Sequence, residues 1–251
     1  MKQNWPEGYG RRVLAEVDST NAEAARIAPQ LNGPEWILAR RQMSGRGRRG
    51  RAWSDLEGNF AATLVMRPSE TPDRVALRSF VAALALFDTL AAVTGRVEGL
   101  ALKWPNDVLV NGGKVAGILL EGGGVSGAGM SHIAIGIGVN LVSAPNPEGL
   151  ETGAVRPVSL MSETGVEVDP ETFLDYLAVA FATRETQFVT YGFAPIRTAW
   201  LDRAARLGEV ITARTAHQCR TGVFETVDNA GNLVLKTPKG AEAIPAAEIF
   251  F

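Results

Sequence analysis

The stretch Gln42-Met-Ser-Gly-Arg-Gly-Arg-Arg-Gly-Arg-Ala-Trp53 places three glycines and four arginines between two apolar segments, 36–39 and 60–66. These apolar segments are typical of buried strands. Glycines at 45, 47 and 50 permit positive φ and close backbone approach, so backbone N–H groups can turn toward an anion. The arginines add permanent charge and planar donors. The stretch, called the arginine loop below, therefore predicts an anion-binding loop held at both ends by core strands.

Two other interpretations of the arginine loop are open. Runs of arginine and glycine also occur in disordered nucleic-acid-binding segments, and a charged run can be a solvated turn. The flanking strands favour a ligand loop, because a disordered tail would not be anchored at both ends. Neighbouring arginines also repel one another, so we expect the loop to be mobile until an anionic ligand compensates its charge.

The composition indicates an ordinary globular protein. The chain has 251 residues, of which 46% are hydrophobic and 21% charged, enough for one large domain with a small module. A net charge of −2 does not favour nucleic acid as a partner. The start of the sequence does not resemble a signal peptide, and no long uncharged apolar run follows. We therefore expect neither export by a classical signal nor a membrane span. The single cysteine, Cys219, suits a reducing cytoplasm, and we expect it to be a small apolar packing residue.

Periodicity and turn residues predict an α+β chain that changes to short strands near its end. Short alternating segments begin at Leu207, so we predict a catalytic domain over 1–206 and a small β module over 207–251. Residues 122–129 are predicted to form a flexible loop. The other predicted elements are strands over 13–17, 100–110, 114–121 and 132–140, and helices over 18–27, 72–94, 170–191 and 194–206.

Charged side chains beside a predicted hairpin need an explanation. Lys103 and Asp107 flank Trp-Pro-Asn, and Lys114 begins the next strand. Because isolated charges at a buried strand edge are costly, Lys103 and Asp107 need each other, a ligand or a metal. The alternative is that the lysines protect an exposed sheet edge.

Two further polar features have structural interpretations as well. Asp18-Ser-Thr-Asn21 is first of all a helix cap, although a helix N-terminus also attracts anions. Gly136 and Gly138 look like close-approach positions within a buried strand. His132 lacks a second histidine at metal-ligand spacing, so we expect a structural role for it.

These motifs, in this order and spacing, resemble the biotin protein ligase family. They are Asp18-Ser-Thr-Asn21, the arginine loop with Trp53, Lys103-Trp-Pro-Asn-Asp107, Lys114-Val-Ala-Gly-Ile-Leu-x-Glu121 and Gly136-Ile-Gly-Val-Asn140. The resemblance covers essentially the whole chain and looks like the short form without an N-terminal DNA-binding domain. It implies a central mixed sheet flanked by helices, in the class II synthetase-like catalytic fold, and a C-terminal SH3-like β-barrel.

The resemblance implies an ATP-dependent, AMP-forming ligase. Biotin and Mg-ATP would give biotinyl-5′-AMP, and biotin would then pass to a lysine of a biotin carboxyl carrier protein. The cofactors implied are Mg²⁺ and ATP, with biotin as substrate. A cytoplasmic monomer or homodimer is expected, with neither nucleic acid nor membrane as partner.

The resemblance also implies roles for individual residues. Catalytic roles fall to Arg48, Lys103 and Lys114. Biotin would be bound by Ser19, Thr20, Asn21, Gln42, Gly45, Arg46, Arg48, Trp53, Lys114 and Gly117. ATP or the adenylate would be bound by Arg46, Arg48, Arg49, Lys103, Asn106, Lys114 and Asn140. Asp107 is the candidate for holding Mg²⁺, although one carboxylate makes a loose site.

Three rival functions compete with this interpretation. A lipoate or octanoate ligase of the same fold also adenylates a carboxylate, but the arginine loop and Lys-Trp-Pro-Asn-Asp favour biotin. A sensor could bind biotin or biotinyl-AMP without transferring it, although the joint presence of Lys103, Asp107 and Lys114 argues for catalysis. A nucleic-acid-binding module is disfavoured by the acidic pI of 5.8.

Overall fold

A computed structural model describes residues 4–54, 56–126, 129–148, 150–215 and 218–251. The strands are β1 (Gly10–Leu14), β2 (Glu35–Ala39), β3 (Phe60–Met66), β4 (Leu100–Lys103), β5 (Asp107–Val110), β6 (Gly113–Gly122), β7 (Val125–Ser126), β8 (Gly129–Met130), β9 (Ile133–Val139), β10 (Val210–Arg214), β11 (Cys219–Val227), β12 (Leu233–Thr237), β13 (Gly240–Ile244) and β14 (Glu248–Phe250). The α-helices are α1 (Thr20–Ile27), α2 (Pro72–Ala76), α3 (Arg78–Thr94), α4 (Leu160–Thr164), α5 (Pro170–Tyr191) and α6 (Phe193–Leu201).

A seven-stranded mixed sheet organises the chain. Its order is β1-β2-β3-β9-β6-β5-β4, with β1 and β2 parallel and all other neighbours antiparallel. The mixed sheet with flanking helices confirms the fold class expected from the sequence.

The two faces of this sheet carry different layers. Side chains alternate along a strand, and on β9 Ile135 and Ile137 join the large core whereas Ala134 packs with α1. Helices α3, α5 and α6 pack together and cover the large core. Helix α1 covers part of the opposite face, and the rest of that face is free to form a site.

The C-terminal module is a five-stranded antiparallel sheet of order β13-β12-β11-β10-β14. The expected barrel is not closed, because β13 and β14 are sheet edges and do not pair within the described residues. Its apolar side chains, Phe224 and Leu235 among them, belong to the same buried cluster as the large sheet. The indole N–H of Trp104 also donates to the carbonyl of Gly231 in the module, at 3.1 Å.

Several element predictions need correction. The helix from Pro72 divides at Leu77 into α2 and α3, and the strand predicted over 100–110 is interrupted at Trp104. Part of the loop predicted over 122–129 pairs as β7 and β8, while 127 and 128 lie outside the described residues. Cys219 is exposed at the start of β11, so its predicted packing role is wrong.

One helical segment is long and apolar enough to cross a membrane. Residues Pro72–Thr94 meet that criterion, but 72% of the apolar window is buried inside the protein. Its apolar character is therefore accounted for by packing against α5 and α6.

Candidate active site

A cavity of about 380 Å³ opens beside α1, on the face of the large sheet opposite α3 and α5. This volume lies within the range of small-molecule sites, about 300–1,000 Å³. The predicted site residues that line it are Ser19, Thr20, Asn21, Gln42, Arg46, Arg48, Arg49, Trp53, Lys103, Asn106, Asp107, Lys114, Gly117 and Asn140. Gly45 is the predicted site residue that does not line it.

Glycines of β6 and β9 form the floor of the cavity. A Cβ atom on Gly138 would lie 2.4 Å from Cε2 of Trp53, and one on Gly136 would lie 2.3 Å from Oδ1 of Asn21. At Gly117 the nearest atom, Cζ3 of Trp53, would lie 3.2 Å away. The prediction of close-approach glycines in β9 is confirmed, since the Trp53 and Asn21 side chains lie directly on the strand backbone.

The arginine loop folds back on itself like a narrow hairpin. The Trp53 amide donates to the Gly45 carbonyl at 2.9 Å, and the Gly47 amide donates to the Arg51 carbonyl at 2.7 Å. Positive φ occurs at Arg49 and Gly50, not at Gly45 or Gly47. Gly45 instead permits close approach, because its Cβ would lie 2.8 Å from the Trp53 carbonyl oxygen. Gly50 and Gly45 thus show the two predicted properties, positive φ and close approach, whereas Gly47 shows neither.

The four arginines of the loop have different surroundings. Arg48 is half-buried and the other three are exposed. Arg48 donates from Nη1 to Oδ1 of Asn106 at 3.3 Å and to the carbonyl of Ala247 at 3.5 Å. Burial lowers the pKa of the Arg48 guanidinium, which nevertheless stays protonated at physiological pH.

The C-terminal strand β14 supplies a carboxylate to the arginine loop. Glu248 accepts two hydrogen bonds of 2.6 Å from Arg51 and one of 3.0 Å from Arg214, which also pairs with Glu151. Arg51, more than any other cause, lowers the pKa of Glu248 to about 2. The charge repulsion expected within the loop is thus partly compensated by the protein itself.

Neutral polar side chains also line the cavity. Oε1 of Gln42 accepts from the backbone amide of Thr20 at 2.9 Å and from its hydroxyl at 3.1 Å. Asn21 donates to Glu121 at 2.8 Å, and its Oδ1 lies 2.6 Å from the hydroxyl of Thr63. These contacts orient uncharged donors and acceptors on the floor and wall of the cavity.

The prediction that a side chain of Asp18–Asn21 caps helix α1 is wrong for Ser19. Ser19 occupies the N-cap position of α1, but its side chain makes no capping hydrogen bond within the described residues. Ser19 lines the cavity, and only 5% of the residue is exposed. It is therefore available to a ligand rather than to the helix terminus.

Asp107 joins the two lysines predicted for the site. Its carboxylate lies 2.7 Å from Nζ of Lys114 and 3.6 Å from Nζ of Lys103. Burial acts to raise the pKa of Asp107, but the two lysines and Arg48 outweigh it and the pKa is lowered. Burial lowers the pKa of Lys103, against the opposing effect of Asp107.

The surroundings of Asp107 do not fit the predicted magnesium ligand. A carboxylate between two ammonium groups already has its charge neutralised, and those groups would repel a divalent cation. Mg²⁺ also prefers several oxygen ligands, whereas the described residues contain no group of three or more histidine, cysteine, aspartate or glutamate side chains placed to hold a metal ion. The metal role predicted for Asp107 is therefore not supported by its geometry.

Two asparagines of the site are held by the chain. Nδ2 of Asn106 donates to the carbonyl of Ile118 at 2.7 Å, and its Oδ1 accepts from Arg48, so both polar atoms of the amide have partners. Asn140 donates to the carbonyl of Val158 at 3.0 Å. Its Oδ1 is thereby oriented as the group that can accept from a ligand.

Comparison with protein families identifies two matched regions. Residues 12–140 match the biotin/lipoate A/B protein ligase family, and residues 207–251 match the biotin protein ligase C-terminal domain. A biotin–[acetyl-CoA-carboxylase] ligase from Paracoccus denitrificans is 59% identical over 95% of this chain and 99% of its own length. This chain belongs to the biotin/lipoate A/B protein ligase family.

Other members of this ligase family agree in sequence and structure. The bifunctional ligase/repressor BirA of Bacillus spizizenii is 32% identical over 94% of this chain and 73% of its own length. Biotin protein ligase from Aquifex aeolicus, solved in complex with biotin and ATP, superimposes with a TM-score of 0.79 at 26% identity, covering 96% of this chain and 97% of that one.

The ligase-family site also contains residues that the sequence analysis did not assign. Glu248 and Phe250 of β14 line the cavity, and Thr63 of β3 contacts Asn21. Glu121 lies within a quoted motif, but nothing marked it as the partner of Asn21. The module residues carried no signal of their own, because they come more than 100 residues after Asn140, the last site residue predicted from the sequence.

Proposed function

We propose that this chain is a biotin protein ligase, which converts biotin and ATP to biotinyl-5′-AMP and transfers biotin to a lysine of a biotin carboxyl carrier protein. The observation that carries the proposal is one cavity with a neutral polar end at Ser19, Thr20 and Gln42 and a cationic end at Arg48, Lys103 and Lys114. The family match and the ligand-bound Aquifex relative support it.

Each end of the cavity suits one part of biotin. The ureido group of biotin is polar but uncharged, and Ser19, Thr20 and Gln42 offer it neutral donors and acceptors. The Trp53 ring and Gly117 provide an apolar, closely packed wall. Biotin would then extend its carboxylate toward the cationic end, where Arg48 and Lys114 would hold the carboxylate and phosphate groups.

The first half-reaction brings two anions together. A biotin carboxylate oxygen attacks the α-phosphorus of ATP, a P–O bond forms, and the bond to pyrophosphate breaks. Fixed cations offset the repulsion and stabilise charge developing on the phosphoryl oxygens. We assign this role to Arg48, Lys103 and Lys114, with Arg46 and Arg49 at the exposed rim and Asn140 beside the nucleoside.

The second half-reaction requires no nucleophile from this chain. The carrier lysine attacks the carbonyl carbon of the mixed anhydride, an amide forms, and the C–O bond to AMP breaks. The anhydride is sensitive to water, so closure of residues 45–50 over it would protect it from hydrolysis. Magnesium enters this proposal only as the counter-ion of ATP, and no step depends on an ion held by Asp107.

The proposal extends to the organisation of the chain. Residues 1–206 would bind and activate biotin, and residues 207–251 would complete the cavity through β14. We place the protein in the cytoplasm, as a monomer or homodimer, without nucleic acid or membrane as partner.

Mass spectrometry of the acyl-adenylate tests the function. The purified protein is mixed with Mg-ATP and, in separate reactions, with biotin, lipoate or octanoate. We expect biotinyl-AMP alone. Lipoyl- or octanoyl-AMP would indicate a lipoate or octanoate ligase instead. Bound biotin without any adenylate would indicate a sensor.

A further inference from the structure

A row of hydrogen bonds connects Glu121 with Thr20 of the cavity. Nδ2 of Asn21 donates to Oε2 of Glu121 at 2.8 Å, and Oδ1 of Asn21 lies 2.6 Å from the hydroxyl of Thr63. That hydroxyl lies 2.8 Å from the hydroxyl of Thr20. Asn21 and Thr20 line the cavity, whereas Thr63 is fully buried next to them. These four residues are called the hydrogen-bond relay below.

The side-chain amide of Asn21 is held in one orientation within the hydrogen-bond relay. Its Nδ2 faces two oxygen acceptors, the carboxylate of Glu121 at 2.8 Å and the backbone carbonyl of Leu119 at 3.5 Å. A flipped amide would place Oδ1 against both of these oxygens, and buried acceptors that face each other without a proton are costly. Oδ1 is therefore the atom that faces Thr63, and it can only accept a hydrogen bond.

The direction of the other hydrogen bonds follows because each hydroxyl has a single proton. The hydroxyl of Thr63 must donate to Oδ1 of Asn21, so its oxygen can only accept from Thr20. Thr20 has a second acceptor within reach, Oε1 of Gln42 at 3.1 Å, which also accepts from the Thr20 backbone amide at 2.9 Å. A proton directed at Gln42 would leave the hydroxyl oxygens of Thr20 and Thr63 at 2.8 Å with no proton between them.

We propose that Thr63 determines ligand specificity by holding the proton of the Thr20 hydroxyl, which leaves the Thr20 oxygen as an acceptor for an N–H group of the ligand. The inference rests on the proposed function and deepens it. The ureido group of biotin carries two N–H donors, whereas lipoate and octanoate carry none. A buried acceptor rejects a ligand that leaves it unpaired. Thr63 is thus a positioning residue that acts through Thr20.

The test compares biotin with its cyclic carbonate analogue, in which ring oxygen atoms replace both ureido N–H groups. Isothermal titration calorimetry without ATP measures both dissociation constants for the native protein and for Thr63→Val, Thr63→Ser and Thr89→Val. Thr89 is the matched control, because it is equally buried but donates to the Ala85 carbonyl within α3. Other differences between the two ligands are the same for every protein, so they cancel when the ratios of the constants are compared.

Thr63→Val keeps the branched shape of the side chain but removes the acceptor, so the Thr20 proton can turn toward a ligand oxygen. We expect the preference for biotin over the carbonate to fall about fivefold, which is the scale of one neutral hydrogen bond. Thr63→Ser should restore the native preference, and Thr89→Val should leave it unchanged.

The preference for biotin separates a positioning role of Thr63 from a structural one. Equal loss of affinity for both ligands in Thr63→Val would assign Thr63 a structural role only and overturn the inference. An unchanged preference with biotin still bound would overturn it as well. Failure of the native protein to bind biotin is a different result, because it would show that the proposed function is wrong and that the inference falls with it.

A second measurement needs no variant, in case Thr63→Val does not fold. Neutron diffraction from crystals of the native protein in D₂O locates the deuteron of each hydroxyl directly. We expect the Thr20 deuteron to lie between the Thr20 and Thr63 oxygens, and the Thr63 deuteron to point at Oδ1 of Asn21. A Thr20 deuteron that points anywhere else, at Gln42 or into the cavity, would overturn the inference.

Discussion

Arg48 differs from its neighbours in the arginine loop because the protein partly buries it. It is held by the Asn106 amide and the Ala247 carbonyl, at the junction of the loop, the large sheet and the C-terminal module. A guanidinium in this position can hold an acyl-phosphate with little further ordering of its side chain. Retention of the adenylate should therefore depend on Arg48 more than on the exposed arginines.

Replacement of Arg48 by alanine should release biotinyl-AMP from a folded protein. One hydrogen bond to a charged group contributes about 1.5–3 kcal/mol, so we expect roughly 10- to 100-fold faster dissociation of the adenylate. Rapid filtration with radiolabelled biotin measures the dissociation rate. Arg220→Ala, which removes an arginine paired with Glu242 in the module, is the control. Unchanged retention in Arg48→Ala would remove Arg48 from the ligand-binding role.

At the scale of the element, the alternating side chains of strand β9 serve the core on one face and the cavity on the other. Its isoleucines face the large core, and Gly136 and Gly138 leave room for Asn21 and Trp53 on the other face. The strand therefore builds the core and the cavity floor at the same time. Any side chain at the glycine positions would occupy space that another residue fills.

Gly138→Ala should displace the Trp53 ring. The added Cβ would lie 2.4 Å from Cε2 of Trp53, which is too close for van der Waals contact. Overpacking of this kind costs about 1–3 kcal/mol, so we expect a lower urea midpoint and weaker binding of biotinyl-AMP. Gly124→Ala is the matched control, because its Cβ would meet nothing within 4 Å. Equal behaviour of the two variants would contradict the packing of Trp53 on β9.

The contact between β14 and the arginine loop should depend on pH through Glu248. Its pKa is lowered from 4.5 to about 2, so its ionised form stabilises the fold above about pH 4.5 and this stabilisation is lost as the pH falls toward 2. Because ion pairs near the surface contribute about 0.2–1 kcal/mol, the effect on the melting temperature should be small. We expect Glu248→Gln to melt below the native protein at pH 7.

The difference between the two melting temperatures should shrink as the pH approaches 2. Differential scanning calorimetry across pH 2–7 measures it. The matched control is Glu209→Gln, which removes a carboxylate from the exposed pair with Arg206. A difference between Glu248→Gln and the native protein that stayed constant over this range would show that the Glu248 charge does not support the contact.

On the scale of the whole molecule, one buried cluster unites the large sheet and the C-terminal module. Ile211, Phe224 and Leu235 of the module belong to it, together with Phe80 and Trp104. A module of about 45 residues buries too little apolar surface to be stable alone. The shared core supplies the missing burial and also holds Glu248 against the cavity.

The two parts should therefore unfold in a single transition. All five tryptophans lie before residue 207, and the single cysteine, Cys219, lies in the module, where it is exposed and can carry a fluorophore. We expect the urea midpoints from tryptophan fluorescence and from the fluorophore to coincide. An earlier transition at Cys219 would show that the module separates from the large sheet before the rest unfolds.

Local sequence pattern was sufficient for much of this protein. The strands beside the arginine loop, helix α5 with its Asp169 cap and Gly192 end, and the glycine face of β9 all follow from periodicity, turn residues and close-approach glycines. The motifs also indicated the family, because each contributes a recognisable residue type at a fixed spacing. These features depend on residues close together in the chain.

Contacts between distant segments were decided only by the tertiary structure. Nothing in the local sequence pairs Glu248 with Arg51, places Asn21 beside Glu121, or opens the C-terminal sheet instead of closing it into a barrel. The sequence predicted a need for charge compensation at Asp107, but not that both lysines would occupy its carboxylate. The physical reason is that charge pairing and sheet closure depend on distances set by packing of the whole chain, whereas helix and strand patterns are set by neighbouring residues.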